Sequence, residues 1–316
     1  MHAFDYLAPA TLDEALDVLA EHRDEAKVLA GGQSLVPLLN YRLARPRVVV
    51  DINALPLDRI TVTHASGGYG GSREGPPISV TIGALTRHAT LEESTELARA
   101  CPLLREAAAL IGNVRVRTLG TLGGSLAHAD PAAELPMAMV ALDARCEVAG
   151  RRGRRTLAAR DFFAGYLTTV LAPDELLVDV EVPAMRGAGW AVEELSRRAG
   201  DFAIVAVAAL IRLDARGRTD DVRIAFGGVG PTPLRVAASE DLLLGAEPTP
   251  ERLGEAAEAA RDALDPQSDA FVSAAYRRLL SGVLARRALT RAVARAMAMD
   301  AAGRPGAGAP APEASL

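Results

Sequence analysis

The apolar pattern of this chain changes its period along the sequence, and that change constrains the fold more than any other feature. A capping box formed by Thr11 and Glu14 opens a run with helical spacing. A strand, a glycine turn, a short helix and a buried β-branched strand follow, at residues 27–30, 31–34, 35–43 and 47–52. This order of elements predicts a βαβ unit at the start of the chain.

Beyond residue 60 the strands alternate polar and apolar residues, which is typical of hairpins. A first hairpin is predicted at 60–63 with 78–82, and a second at 146–149 with 156–157. Two helices are predicted between them, at 88–99 and 102–111. Four strands follow, at 176–182, 190–196, 202–213 and 222–226. Three helices come after them, at 235–244, 250–264 and 272–298. Strands followed by helices predict an α+β fold with a separate second domain.

These patterns divide the chain into a two-part first domain and a C-terminal α+β domain. The first domain is predicted at 1–175, with subdomains at about 1–55 and 56–175, and the second at 176–298. Glycine, proline and alanine dominate the last residues, so we expect a disordered tail at 299–316.

Composition excludes several classes of function. A net charge of −5 provides no overall positive field, so nucleic acid is not an expected partner. The longest apolar run, Phe202–Ile211, is shorter than the roughly 20 residues that a membrane-spanning helix needs, so no membrane span is expected. The first residues contain acids and no basic region, which argues against a secretory signal and makes the cytoplasm the expected compartment.

Few side chains are available to hold a metal. The two cysteines, Cys101 and Cys146, cannot supply the four ligands that an iron–sulfur cluster generally takes. The five histidines form no i, i+4 pair and no HExxH motif, so no metal site is expected in this chain. Lys27 is the only lysine, and any mechanism that needs a catalytic lysine is confined to it.

Two turns that pair glycines with hydroxyl residues are the best candidates for chemistry. The first is Gly31-Gly32-Gln33-Ser34, between a strand and a helix, where backbone amides can converge on a phosphate. Alone, it is more often an ordinary strand-to-helix turn. A second turn of the same kind, at 120–131, changes the balance, because a pyrophosphate has two phosphates. With no lysine nearby, main-chain amides would have to neutralise them.

Neither turn fits the common nucleotide motifs. The chain has no GxGxxG that opens a Rossmann helix and no GxxxxGK[ST], because its one lysine precedes its glycine turns. It also lacks the GxSxG elbow of serine hydrolases.

The turns and their surroundings resemble the FAD-binding medium subunit of molybdenum hydroxylases, of the carbon monoxide dehydrogenase and xanthine dehydrogenase type. The stretches that carry the resemblance are AGGQSLVPLLNYRLARPRVVVDIN at 30–53, TIGALTRHATLEES at 81–94, IGNVRVRTLGTLGGSLAHADPAAELP at 111–136 and RRAGDFAIVAVAA at 197–209. A further likeness to the last helix of the family lies at 276–289. The motifs span nearly the whole chain in the order that the family has.

The resemblance implies a two-part FAD-binding domain of the vanillyl-alcohol-oxidase type (PCMH type), followed by a domain of antiparallel sheet and helices. The cofactor-binding residues that it implies are Ala30, Gly31, Gly32, Gln33, Ser34, Leu35, Thr121, Gly123, Gly124, Ser125, His128, Glu134, Asp201 and Phe202. The first turn would wrap the pyrophosphate and ribityl part, and the second would close on the diphosphate. Glu134 would bond sugar or ribityl hydroxyls, and Asp201 and Phe202 would lie near the isoalloxazine.

Some of these positions also fit a plainer interpretation. His128 fits a hydrogen-bonded loop histidine, and Phe202 fits a core residue of an apolar strand. The chain also departs from part of the family, because Glu194 stands where some relatives have a lysine. A cation near the flavin would then be missing.

The function that the resemblance implies is electron transfer within an assembly. A molybdopterin-binding large subunit would oxidise the substrate, and a [2Fe-2S] small subunit would pass single electrons to the FAD of this chain for delivery to an external acceptor. The expected assembly is a heterohexamer, a dimer of heterotrimers. Two alternatives stay open at this point: a free-standing flavin oxidoreductase of the same fold, and an assembly subunit that has lost the flavin.

Overall fold

The structure is a computed structural model that describes residues 1–65 and 75–303. The tip of the hairpin predicted between 63 and 78 lies mostly outside these residues, as does the chain from 304 onward. The described residues form three sheets of three, five and four strands, together with a small two-stranded ribbon and the helices that pack on them. The predicted α+β class is confirmed.

The first sheet confirms the predicted βαβ unit. Its three strands are parallel in the order β1-β3-β2, and the two helices of this region connect them. The elements are β1 (Asp5–Leu7), α1 (Leu12–His22), β2 (Ala26–Leu29), α2 (Leu35–Asn40) and β3 (Val48–Asp51). The capping box is present, since Oγ1 of Thr11 accepts a hydrogen bond from the Glu14 amide and the Glu14 carboxylate accepts one from the Thr11 amide. The first turn of α1 is therefore satisfied at both backbone positions.

The second sheet is antiparallel, with the strand order β4-β5-β10-β6-β7. Its strands are β4 (Ile60–His64), β5 (Pro77–Gly83), β6 (Arg145–Gly150), β7 (Gly153–Ala158) and β10 (Glu175–Pro183). Between β5 and β6 lie α3 (His88–Glu93), α4 (Thr95–Ala100), α5 (Pro102–Leu110), α6 (Val114–Leu119), α7 (Leu122–His128) and α8 (Glu134–Ala141). After β7 come α9 (Ala159–Phe162), β8 (Phe163–Gly165) and β9 (Thr168–Thr169).

Two sequence expectations are corrected in this sheet. The helix predicted at 88–99 is two helices, because the backbone is extended at Ser94, whose Oγ caps α4. The strand predicted at 176–182 does not begin the C-terminal sheet: β10 lies in the middle of the second sheet, paired with β5 and β6. A predicted boundary near residue 175 therefore assigned this strand to the wrong sheet, because its apolar pattern carries no information about its partners.

The third sheet contains the strands of the C-terminal part and is packed on both faces. It is antiparallel, with β11 (Ala188–Ser196), β12 (Ala203–Leu213), β13 (Thr219–Gly227) and β14 (Leu234–Arg235). The helices α10 (Ala237–Leu243), α11 (Pro250–Ala263) and α12 (Ala274–Gly303) follow. Along β12, Val205, Val207 and Ala209 pack under these helices, whereas Ala206 and Ala208 pack into the core of the preceding part. Alternation along one strand thus serves two cores.

The last helix also differs from its prediction. It extends to Gly303, so the tail does not begin at 299, and the rest of the predicted tail lies outside the described residues. Glycine is required where α12 crosses β11, because a methyl group at Gly189 would overlap the backbone of Ala292 and Ala296. Of the helices in residues 1–65 and 75–303, none has both the length and the apolar character that crossing a membrane needs.

Candidate cofactor-binding site

The first glycine turn joins β2 to α2 and presents unused backbone donors. None of the amides from Gly31 to Leu35 donates to an acceptor in the described part of the chain. Gly32 has a φ of +70°, a left-handed conformation that glycine adopts without a Cβ clash. The Gln33 side chain donates from Nε2 to the carbonyl oxygen of Gly31 at 3.0 Å, which fixes the turn. Successive free amides of this kind form a concave site for an anion.

The second turn is built differently and corrects an expectation. The amide of Gly123 donates to the Ala84 carbonyl at 2.7 Å, and that of Gly124 donates to Oγ1 of Thr121 at 3.1 Å. The Ser125 amide is also engaged, with the Thr121 carbonyl at 3.0 Å. These three amides, which the sequence assigned to a diphosphate, are therefore used within the fold, whereas the Thr121 amide donates to no acceptor among the described residues. The Ser125 hydroxyl, which has no partner among the described residues, remains available.

The structure brings the two turns into direct contact. A methyl group at Gly31 would overlap the carbonyl oxygen of Leu119 and would lie 2.7 Å from Cα of Gly120. A methyl group at Gly124 would lie 3.8 Å from Cβ of Ala30. Because both glycines lack a Cβ, the turns form one continuous surface. This surface has free backbone amides on one side and a hydroxyl on the other, which are donors of the kind that bind a phosphate.

Sequence reasoning missed the side chains that tie the two turns together. The Asn53 amide group donates from Nδ2 to the carbonyl oxygen of Ala30 at 2.8 Å, and its Oδ1 accepts from Nη2 of Arg87 at 2.7 Å. Nη1 of Arg87 donates to the Leu119 carbonyl. A continuous chain of hydrogen bonds thus connects the first turn to the second. Asn53 and Arg87 lie in the family-like stretches 30–53 and 81–94, but their role depends on contacts between segments that are distant in sequence.

His88 packs against the second turn and forms a hydrogen bond with it. Its ring is buried, and Nε2 donates to the Thr121 carbonyl at 2.9 Å. Burial lowers the pKa of His88 to about 4, so the imidazole is neutral at pH 7. A side chain on Gly120 would overlap the ring, with its Cβ 2.7 Å from Nδ1 of His88. Gly120 is therefore fixed by packing against a histidine that sequence reasoning had left unassigned.

Glu134 and Glu194 lie where the C-terminal sheet meets the preceding part. Glu134 begins α8 and is 4% exposed. Oε2 of Glu194 is buried without a hydrogen-bond partner among the described residues. Burial raises the pKa of Glu194 to about 7, and burial together with the negative charge of Glu194 raises that of Glu134 to about 7. The two acids interact electrostatically, and neither forms an ion pair with an arginine or lysine in residues 1–65 and 75–303.

The remaining predicted residues lie on the rim. Asp201 and Phe202 precede β12, and the ring of Phe202 is 59% exposed, so the interpretation of Phe202 as a core residue is wrong. Gly200 lies against Gly112, just before α6 and the second turn, because a methyl group there would lie 3.0 Å from the Gly112 carbonyl oxygen. His128 ends α7 and is half-buried. The rim segment around Phe202 therefore lies beside the approach to the second turn.

The cysteines are structural. Cys101 and Cys146 are fully buried in the apolar core of the second part, and burial raises the pKa of each thiol to about 12. Among residues 1–65 and 75–303, His, Cys, Asp and Glu side chains do not gather in groups of three or more that could hold a metal ion.

Two family models match the chain, one for each of its parts. Residues 2–185 match the FAD binding domain in molybdopterin dehydrogenase, and residues 190–292 match the CO dehydrogenase flavoprotein C-terminal domain. The first match ends after β10, in agreement with the strand pairing. Fold and site together define an FAD-binding flavoprotein.

Known proteins of similar sequence cover almost the whole chain. The nicotine 6-hydroxylase medium subunit of Paenarthrobacter nicotinovorans is 40% identical over 93% of this chain and 98% of its own. The alpha subunit of the 6-hydroxypseudooxynicotine dehydrogenase complex of the same organism is 39% identical, over 93% of this chain and 96% of its own. The carbon monoxide dehydrogenase medium chain of Hydrogenophaga pseudoflava is 38% identical, over 92% and 98%.

Solved structures show the same fold. A carbon monoxide dehydrogenase from Hydrogenophaga pseudoflava matches with a TM-score of 0.85 and 39% identity, over 92% of this chain and 98% of that chain. Quinoline 2-oxidoreductase from Pseudomonas putida 86 matches with the same TM-score and 36% identity, over 93% and 98%. The chain therefore belongs to the molybdenum hydroxylase family, as an FAD-binding medium subunit of an oxidoreductase.

Proposed function

We propose that this chain is the electron-transfer flavoprotein of a three-subunit oxidoreductase. It accepts single electrons from a [2Fe-2S] small subunit and passes them to an external acceptor, while a molybdopterin-binding large subunit oxidises the substrate. The assembly is a dimer of these heterotrimers. Bound FAD supplies the redox chemistry, because it exchanges either one or two electrons, and the protein supplies binding, orientation and electrostatics.

The convergence of the two glycine turns is the observation that carries the proposal. The free amides from Gly31 to Leu35 face the phosphates, and the Ser125 hydroxyl approaches from the second turn. Ala30 and Thr121 border the same surface, while Gly123 and Gly124 allow the close packing of the second turn. Backbone amides that bind the diphosphate also orient the rest of the dinucleotide, because its phosphates are its only fixed charges.

The remaining predicted contacts lie beyond the diphosphate. His128 is the last residue of α7, and Glu134 follows it at the start of α8. At 1.5 Å per residue, α7 is about 10 Å long. With FAD bound, Glu134 and His128 would hold the hydroxyls of its sugar-alcohol part. The exposed ring of Phe202, with Asp201 beside it, offers a face to the isoalloxazine.

The cysteine content supports the assignment of the iron–sulfur cluster to another chain. The sequence contains two cysteines, and both are buried in the core, whereas a cluster generally takes four cysteine ligands. Relatives point in the same direction, because several are named as medium chains or subunits of dehydrogenases. Both observations support an electron donor in a partner subunit.

Affinity purification through a tag on this chain, from cells that express the neighbouring subunits, tests the proposal. The purified complex is analysed by its visible spectrum and by its flavin, iron and molybdenum contents. We expect one FAD per copy of this chain, together with iron and molybdenum. Flavin alone, reduced by a small substrate without partner chains, would instead identify a free-standing oxidoreductase. A colourless complex without FAD would identify an assembly subunit.

A further inference from the structure

A diphosphate carries negative charge, and the sequence suggested that only backbone amides are present to meet it. Lys27, the one lysine, has an exposed side chain on β2. The structure brings a different cation to the site, because Arg87 reaches the junction of the two turns from the start of α3.

The hydrogen bonds of Arg87 do not engage a carboxylate. Its two terminal nitrogens donate to the carbonyl oxygen of Leu119 and to Oδ1 of Asn53, and both acceptors are neutral. No carboxylate forms an ion pair with Arg87 in residues 1–65 and 75–303. Other arginines differ in this respect, for example Arg117, which pairs with Glu92, and Arg155, which pairs with Glu175. A half-buried guanidinium without an ion pair can still attract a further anion, because a neutral hydrogen-bond acceptor does not cancel its charge.

The charge of Arg87 also acts on Asp51, which is engaged by other neighbours. Burial raises the pKa of Asp51, but hydrogen bonds from Tyr6 and Asn53 and the charge of Arg87 bring it below its ordinary value. Asp51 accepts hydrogen bonds from the Tyr6 hydroxyl through Oδ2 and from the amide groups of Asn53 through Oδ1. It therefore orients Asn53, and Asn53 in turn orients Arg87 and the Ala30 carbonyl. These hydrogen bonds hold the guanidinium between the turns in the absence of a ligand. Ligand binding then costs less side-chain entropy, because Arg87 is already ordered.

We propose that Arg87, oriented by Asn53, is the cationic anchor of the cofactor site: it holds the two glycine turns at a fixed separation and attracts the diphosphate of the dinucleotide. This proposal rests on the function proposed above and assigns to Arg87 a role that the chain's single lysine does not fill. Arg87 is a binding and positioning residue. Asn53 is a positioning residue that acts through Arg87 and through the Ala30 carbonyl.

Binding titrations of FAD to the flavin-depleted full-length chain test this proposal. The variants are Arg87→Met, which removes the charge, Arg87→Lys, which keeps the charge but loses the planar fork, and Arg99→Met as a control on an exposed arginine of α4. We expect Arg87→Met to raise the dissociation constant of FAD roughly tenfold or more, as the loss of a charge-assisted contact predicts. Arg87→Lys should recover part of the loss, and Arg99→Met should match the wild type.

Three further readouts separate a charge effect from general damage. The wild-type dissociation constant should rise with ionic strength more steeply than that of Arg87→Met, because salt screens the attraction. ADP, which has the diphosphate but no flavin, should compete with FAD less well in Arg87→Met. Asn53→Ala should weaken FAD binding while the slope with salt stays close to the wild-type slope. The melting temperature of each flavin-depleted variant reports its folding.

The outcomes distinguish failure of this inference from failure of the proposed function. Equal FAD affinity, or an equal salt slope, for the wild type and Arg87→Met would overturn the role of Arg87 and leave the FAD site in place. An affinity loss that appears only with a large drop in melting temperature, and that Arg87→Lys does not recover, would also overturn it. A wild-type chain that binds no FAD would refute the proposed function itself.

Discussion

Glu106 and Trp190 lie 84 residues apart in the sequence, and Oε2 of Glu106 accepts a hydrogen bond from the indole Nε1 of Trp190 at 2.9 Å. The same carboxylate accepts bonds from Arg291 at 2.8 Å and from Arg295 at 2.6 Å. It also accepts one from the Val192 amide at 3.2 Å. One acid on α5 thus joins β11 and α12 of the C-terminal part to the part that carries both glycine turns.

Replacement of Glu106 should weaken this joint. Glu106→Ala removes the acceptor of the Trp190 indole and one acceptor each of Arg291 and Arg295, which keep bonds to Glu193 and to the Trp190 carbonyl. We expect a loss of about 2–4 kcal/mol in the free energy of unfolding. Urea unfolding followed by tryptophan fluorescence measures the loss, because Trp190 is the only tryptophan. The exposed Glu258→Ala on α11 is the control, with an expected change within about 0.5 kcal/mol. Equal losses in both variants would show that the cluster does not stabilise the joint.

The contact between the turns requires glycine at position 31. Gly31→Ala places a methyl group against the Leu119 carbonyl, so the turns must separate and FAD affinity should fall roughly tenfold or more. Gly254→Ala on α11 provides a matched control, because a methyl group there meets no atom within 4 Å. This control should bind FAD normally and gain slightly in stability, since alanine favours a helix. Normal FAD binding by Gly31→Ala would contradict the close approach of the turns.

The buried acids should make stability depend on pH. The pKa values of Glu134 and Glu194 are raised to about 7, so their contribution is present at low pH and lost as the pH rises through 7. Between pH 5.5 and 8 we expect this loss to be on the order of 2 kcal/mol for the pair, allowing for the partial exposure of Glu194.

Glu194→Gln should remove much of that dependence. The free energy of unfolding, measured with urea at a series of pH values, should fall less for Glu194→Gln than for the wild type between pH 5.5 and 8. The exposed Glu255→Gln on α11 should keep the wild-type profile. Parallel profiles for the wild type and Glu194→Gln would rule out a raised pKa at this position.

The exposed ring of Phe202 should matter to the flavin and not to folding. Phe202→Ala should change the free energy of unfolding by less than about 0.5 kcal/mol, because the ring is 59% exposed. The visible circular dichroism of bound FAD should change, since a ring near the isoalloxazine is lost. Phe162→Ala is a contrast within the core, where truncation costs about 3–5 kcal/mol. An unchanged flavin spectrum in Phe202→Ala would place its ring away from the cofactor.

Local patterns allowed most elements to be predicted from the sequence. The capping box at Thr11 and the β-branched run at 47–52 each predict an element from residues that are adjacent in the sequence. The structure has α1 and β3 at these places. The family motifs carried the identification of the cofactor. The assignment of β10 failed because strand pairing is set by contacts with β5 and β6, which are remote in sequence.

The same distinction explains what was missed at the site. The glycine turns are visible as short motifs, but the use of the Gly123 amide depends on Ala84, a residue of another segment. Arg87 and Asn53 each look like ordinary polar residues until the fold brings them to 2.7 Å. Side chains that act by connecting distant segments have no local signature, and they were found only from the structure.

The FAD content of the purified complex tests the central claim most directly. Acid extraction and absorbance of the released flavin should give one FAD per copy of the wild-type chain and strongly reduced occupancy for Gly31→Ala. Full occupancy in Gly31→Ala, or wild-type protein that contains no FAD, would contradict a cofactor site at the two converging turns.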